Sequence, residues 1–185
     1  MLLVVGLGNP GKRYEDTRHN VGFMLIDKLS RSYGIRCDAP APGALWGRGV
    51  IAGHDVVLVK PMTFVNLSGT AVGDIRSSLS LSVESIIVAY DDCDLPLGRI
   101  RIRKGGGSGG HRGVESIMSS LASSSFPRIR LGIGRPGAGE LRDYVLNPFT
   151  PEEAGVVDEM LVRAASSIEV IITEGVESAM NRFNA

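Results

Sequence analysis

Leu2-Leu-Val-Val5, followed at once by Gly6-Leu-Gly-Asn-Pro-Gly11, is the stretch on which the fold turns. A short apolar run closed by glycines reads as a strand buried on both faces. Such strands belong in the interior of a parallel sheet. Ser85-Ile-Ile-Val-Ala89, closed by Asp91-Asp92, shows the same pattern, and Ile129 to Ile133 is also strand-like. Between the first two runs, Asn20 precedes Val21, Phe23–Ile26 and Leu29. That spacing predicts an amphipathic helix ending near Gly34.

The other segments are placed around this frame. Residues 37–47, rich in Ala, Pro and Gly, read as a loop. Gly49–Ala52 and Val56–Val59 read as a hairpin turning at Gly53-His54, with Pro61 ending the second strand. A helix is expected from about Val65 to Leu79, although Gly69 and Gly73 weaken it. Arg99-Ile-Arg-Ile-Arg103 has the period of a strand with one charged face. Gly105 to Gly110 is a glycine loop leading into a helix from about Gly113 to Leu121. The tail from Pro151 reads as helical, with Thr150 as cap and Pro151 at the first position. Strands alternate with helices, no repeat or linker appears, and residues 1–185 read as one domain. The expected class is α/β, with a mixed, mostly parallel central sheet flanked by helices.

Composition narrows the function. Hydrophobic residues make up 43% of the chain and charged residues 22%, as in an ordinary globular protein. Two cysteines, Cys37 and Cys93, make no disulfide framework and no structural zinc set, which fits a reducing cytosol. No apolar run approaches the ~18 residues of a membrane span, and the first residues read as a strand rather than a signal peptide. Lys plus Arg equals Asp plus Glu, 20 against 20. The charges are nevertheless unevenly spread. Arg99 to Arg135 holds eight basic residues and one acid, while Pro151 to Ala185 holds seven acids and two arginines. A local basic patch binds phosphates whatever the total charge. Arg99, Arg101 and Arg103 at alternate positions would project from one strand face, as would Arg128 and Arg130 from another. Contacts of that kind grip phosphates without reading bases.

Two glycine motifs are misleading. Gly6-Leu-Gly-Asn-Pro-Gly11 matches the dinucleotide fingerprint after a strand. That fold needs a helix to open directly behind the loop and an acid about 20 residues on at the end of a second strand. Neither is present here, so a nicotinamide enzyme is disfavoured. Gly105-Gly-Gly-Ser-Gly-Gly110 lacks the following Gly-Lys-Ser/Thr of a P-loop. It reads instead as a bare backbone that a bulky substrate can approach closely.

Of three histidines, His54 falls in the presumed hairpin turn. His19 and His111 each precede a helix, where a catalytic role is plausible on pattern. The histidines and cysteines lack zinc-ligand spacing. Asp91 closes a buried strand, where ligands gather in parallel sheets, and it is suited to orient an imidazole. Asn9 closes the first strand in a similar place, and Asn66 is either an amide that orients substrate or a helix cap. Cys93, flanked by Asp92 and Asp94, has surroundings that raise a thiol pKa, which argues against a cysteine nucleophile. Tyr14 and Phe64 suit stacking on a base, with core packing as the alternative for Phe64.

These residues fall within a series of strings. They are Val5-Gly-Leu-Gly-Asn-Pro-Gly11, Tyr14 with Thr17-Arg-His-Asn20, Lys60-Pro-Met-Thr-Phe-Val-Asn-Leu-Ser-Gly69, and Asp91 with Asp94-Leu-Pro-Leu-Gly98. Gly105-Gly-Gly-Ser-Gly-Gly-His111, Arg130-Leu-Gly-Ile-Gly-Arg-Pro136 and Asp143-Tyr-Val-Leu146 follow in order. Together, over nearly the whole chain, they resemble bacterial peptidyl-tRNA hydrolase. The resemblance implies a monomeric, metal-free and cofactor-free cytoplasmic enzyme. It would cleave the ester joining a peptide to the 3′-terminal ribose of tRNA and so recycle stalled peptidyl-tRNA. By matching motif it implies His19 as general base, Asp91 as its supporting carboxylate, and Asn9 as the residue that distinguishes blocked from free aminoacyl-tRNA. It further implies Tyr14, Phe64 and Asn66 at the tRNA 3′ end and peptide, His111 in the substrate groove, and Arg103 and Arg130 on the 5′-phosphate. Two positions depart from the pattern. Arg112 stands where the family often has Asn, and Tyr90 stands where many relatives carry His. An arginine cannot accept a hydrogen bond, but its fork suits a phosphate. The rival reading is a non-catalytic RNA-binding protein on the same scaffold. The presence of His19, Asp91, Asn9 and Asn66 together argues against it, since a binding module needs no base–carboxylate pair.

Overall fold

A computed structural model describes residues 1–137 and 139–184. Seven strands form one mixed sheet: β1 (Leu2–Gly6), β2 (Ala39–Ala41), β3 (Ala44–Ile51), β4 (His54–Pro61), β5 (Ile86–Asp92), β6 (Ile100–Arg103) and β7 (Arg128–Gly132). Their order is β2-β3-β4-β1-β5-β7-β6. Strands β4, β1, β5 and β7 are mutually parallel, while β2–β3, β3–β4 and β6–β7 pair antiparallel. The helices are α1 (Val21–Tyr33), α2 (Ser68–Ser78), α3 (Arg112–Leu121), α4 (Leu141–Val145), α5 (Ala154–Glu174) and α6 (Val176–Phe183).

The period-2 alternation of each inner strand splits the core in two. Val4, Ile87 and Ala89 pack with α1, α5 and α6 on one face. Leu3, Val5, Ile86, Val88 and Tyr90 pack with α2 and α3 on the other. The expected α/β class with a mostly parallel sheet therefore holds. Among the described residues no helix is long and apolar enough to cross a membrane.

Several expected boundaries shift. Residues 37–47 are not a loop but hold β2 and the start of β3. Strand pairing decides this segment rather than its composition, β2 against β3 and β3 against β4, and Pro40 is tolerated because β2 is an outermost strand. The hairpin turns at Ala52-Gly53, both at positive φ (49° and 80°), as a two-residue primed turn requires. His54 thus begins β4. Val65–Leu67 forms a 3₁₀ turn ahead of the shorter α2. The tail helix starts at Ala154, not Pro151; Glu153 turns back to accept from the Thr150 amide at 2.8 Å. Gly175, at φ 92°, separates α5 from α6. The short α4 has no sequence periodicity long enough to read.

One close approach sets the position of the site. A Cβ on Gly6 would lie 2.2 Å from the Gly22 carbonyl oxygen, and a Cβ on Gly22 would lie 2.5 Å from Leu7 backbone and 2.7 Å from the Ala89 oxygen. The absence of these two side chains lets the first turn of α1 rest on the ends of β1 and β5. His19, three residues before Gly22, is thereby carried to the end of β5.

Candidate active site

A cavity of about 1010 Å³ opens at the carboxyl ends of the inner strands, the place where ligands gather in sheets of this kind. Asn9, Tyr14, His19, Phe64, Asn66, Asp91, Arg103, His111, Arg112 and Arg130 all line it. These residues are therefore brought to one wall system, although they span more than one hundred positions, whereas Arg99 and Arg101 do not line it.

Asp91 is the centre. It is buried, and its Oδ1 meets His19 Nδ1 at 2.8 Å and His111 Nε2 at 3.0 Å. The His111 tautomer follows from its other nitrogen. Nδ1 accepts from the Val114 amide at 3.3 Å as the cap of α3, so the ring proton sits on Nε2 and is donated to Asp91. His19 likewise donates Nδ1–H, which leaves its Nε2 lone pair for chemistry. Its imidazole stays 16% exposed, enough for water to reach it. Burial alone would lower the His19 pKa, but the charge and hydrogen bond of Asp91 outweigh it and raise the value above 6.5. Burial likewise opposes ionisation of Asp91, yet the two imidazoles hold its carboxyl well below the usual range.

Asn9 is fixed by the residue that precedes α1. Asn20, buried, accepts from the Asn9 amide at 2.8 Å and donates Nδ2 to the Asn9 carbonyl at 3.0 Å. Asn9 Oδ1 in turn accepts from the Val65 amide at 3.0 Å. With its oxygen so used, Asn9 presents its Nδ2 donors. No local signal marks Asn20 for this task, since an asparagine before a helix looks like a cap. Asn66 is exposed and does not cap α2, whose preceding residue is Leu67 without a side-chain cap bond. Phe64 is 57% exposed, so it is not a core residue. The Tyr90 ring packs against His111 at a tilt of 57°, with centroids 4.8 Å apart.

The arginines divide. Arg101 and Arg103 are exposed on β6, alternating with buried Ile100 and Ile102, whereas Arg99 lies just before the strand. Arg112 is exposed and makes no ion pair among the described residues. Arg128 does not project outward: it is 2% exposed, donates to the Gly107 carbonyl at 2.6 Å and the Ser124 carbonyl at 3.2 Å, and lies over Phe126. The reason is that β7 lies inside the sheet, between β5 and β6. Its task is to hold the glycine loop. Arg130 is paired to Asp92 at the cavity wall.

His19, Asp91 and His111 place ligand atoms within 4.8 Å of one another, a set that sequence spacing did not show. Two imidazoles and a carboxylate suit zinc, and the same atoms already satisfy one another through hydrogen bonds. Cys93 is not a thiolate candidate, because burial and then the charges of Asp91 and Asp92 push its thiol up to about 11.

An imidazole–carboxylate pair in a solvent-reached cavity at the end of an α/β sheet can activate water, as a hydrolase requires. The chain matches the family described as peptidyl-tRNA hydrolase over residues 3–185, and it belongs to that family. It is 49% identical over 184 residues to the peptidyl-tRNA hydrolase of Carboxydothermus hydrogenoformans, covering 100% of this chain and 98% of that one. It is 45% identical over 186 residues to that of Bacillus subtilis, with coverage of 100% and 99%. The crystal structure of the Acinetobacter baumannii peptidyl-tRNA hydrolase superposes with a TM-score of 0.93 at 39% identity, covering 100% of this chain and 95% of that one.

Proposed function

We propose that the chain hydrolyses the ester between a peptide and the 3′-terminal ribose of tRNA, with His19 as general base. The observation that carries this reading is the His19–Asp91 contact of 2.8 Å beside an open cavity. Water gives a proton to His19 Nε2 as its oxygen attacks the ester carbonyl. The imidazolium formed is stabilised by Asp91, and the proton then passes to the departing ribose oxygen. Asn9 Nδ2 and backbone amides of the glycine loop are the donors offered to the developing oxyanion. Asn9 also discriminates a blocked substrate from free aminoacyl-tRNA. Tyr14, Phe64 and Asn66 receive the tRNA 3′ end and the peptide, with His111 in the groove. Arg103, Arg112 and Arg130 hold phosphates of the acceptor arm. In this reading residues 1–185 act as one domain, a cytoplasmic monomer without cofactor or metal, recycling tRNA from stalled translation.

Incubation with N-acetyl-aminoacyl-tRNA and with its unacetylated counterpart tests it. Cleavage of the first and sparing of the second is the expected result. Tight tRNA binding without cleavage of either would favour a non-catalytic RNA-binding protein.

A further inference from the structure

Arg18 stands directly before His19, yet it is 5% exposed and does not line the cavity. Its guanidinium donates two bonds to Glu153, Nη1 to Oε1 at 3.1 Å and Nη2 to Oε2 at 2.8 Å. It also lies over two rings, 4.5 Å from the centroid of Tyr144 and 4.9 Å from that of Phe149. The Arg18 amide donates to the Asn147 carbonyl at 3.0 Å, and Thr17 bridges Pro148. Tyr144 is itself fixed, its hydroxyl donating to the Ile133 carbonyl at 2.6 Å. One side chain thus joins the turn that carries His19 to the segment that follows α4. Both α4 and the residue after it form a cavity wall, through Leu141, Arg142, Val145 and Leu146.

Placing a guanidinium here is costly. A buried charge is unfavourable unless paired, and an apolar residue of similar size would pack the same space. Among the described residues Arg18 Nε has no hydrogen-bond partner. What the bidentate fork and the two rings provide is a fixed orientation. We infer that Arg18 is a positioning residue: clamped by Glu153, Tyr144 and Phe149, it holds His19 against Asp91 and keeps the α4 wall in register with it. The inference rests on the proposed hydrolysis for its kinetic consequence, but its structural consequence does not. Small misplacements of a base weigh heavily on turnover.

The test compares the parent with Arg18→Lys, Arg18→Met, Glu153→Gln and the Met/Gln double variant, each normalised to its folded fraction. Peptidyl-tRNA kinetics separate kcat from KM, and the Nδ1 proton resonance of His19 reports its contact with Asp91. Arg18→Met is expected to lower kcat about tenfold or more with KM within about twofold. Arg18→Lys should recover part of the loss. Glu153→Gln, which keeps shape and does not touch His19, should lower kcat in the same direction. The double variant should be no worse than Arg18→Met alone. The His19 resonance should shift in Arg18→Met and Glu153→Gln alike. A lower melting temperature with kcat per folded molecule and the resonance both unchanged would reduce Arg18 to a structural residue and overturn the inference. A parent that does not hydrolyse peptidyl-tRNA would count against the proposed function, and the resonance would then judge the clamp by itself.

Discussion

The two ends of the cavity are built by opposite rules. At the imidazole end, polar atoms are held by neighbours: Asp91 by two histidines, His111 by the Val114 amide, and Asn9 by Asn20 and Val65. At the cationic end, Arg103 and Arg112 extend into solvent on a strand edge and a helix start. Bond-making chemistry needs a fixed geometry, because effective catalysis depends on sub-ångström placement. Phosphate recognition on a mobile polyanion needs charge within reach and tolerates loose geometry. Substitutions at the first end should therefore appear in kcat, and those at the second in KM and in salt dependence.

The largest effect is expected at His19. His19→Ala should lower kcat by about 10²–10⁴ and leave the affinity for tRNA nearly unchanged. Stopped-flow hydrolysis and a filter-binding titration check the two halves. Comparable losses in both would erase the contrast between the ends. Asp91→Asn comes next, with a fall in kcat on the order of 10². It also carries a pH signature. The free base is the neutral imidazole, so activity falls as pH drops through the His19 pKa, which lies above 6.5 in the parent. The substitution removes the carboxylate that raises that pKa and leaves the burial that lowers it. The acid limb of kcat/KM should therefore move to lower pH. A limb that stays or moves up would remove Asp91 as the group that tunes His19.

How far the sequence could be read follows from the same contrast. The buried strands Leu2–Gly6 and Ile86–Asp92 and the helix α1 were legible because apolar period and glycine punctuation are local signals. The segment 37–47 was not, since its strands exist only through pairing, β2 with β3 and β3 with β4. His19, Asp91 and Asn9 could be selected as chemistry-bearing residues at element ends. Their convergence could not, because it depends on the Gly6–Gly22 approach, a tertiary event. The contacts of Asn20 and Arg18 were invisible for a related reason: their partners lie 11 and 135 positions away. Arg128 does not project as its spacing predicts, because alternation along a strand does not say whether the strand is inner or outer.

Phe64 sharpens the comparison from the intermediate side. Its ring is exposed at the cavity, so Phe64→Ala removes a stacking surface without opening the core. A base-stacking contact is worth about 1–3 kcal/mol, so KM should rise by about tenfold with kcat little changed. A substrate analogue limited to the 3′-terminal adenosine and its ester should show the same loss as full-length tRNA. If only the full-length substrate were affected, Phe64 would be contacting some other part of the tRNA.

Arg103 should give the smallest effect and the most diagnostic one. Its side chain leaves an outer strand toward solvent, beside a glycine loop that keeps neighbouring side chains out of the way. A phosphate held there releases condensed counterions, so the contact must appear in the salt dependence of binding. Arg103→Ala should weaken tRNA affinity about fivefold at moderate salt and reduce the slope of log K against log salt by about 0.9. Turnover at saturating substrate should stay near the parent value, because no atom of Arg103 contacts His19 or Asp91 among the described hydrogen bonds. Arg128→Ala makes the matched control. Its guanidinium is already engaged by the Gly107 and Ser124 carbonyls, so its loss should loosen the glycine loop and lower stability while leaving the salt slope unchanged. Identical slopes for the parent and Arg103→Ala would take Arg103 out of the phosphate contacts. A reduced slope for Arg128→Ala would mean that a guanidinium inside the sheet still reaches the polyanion, and the division between fixed and free arginines would fail.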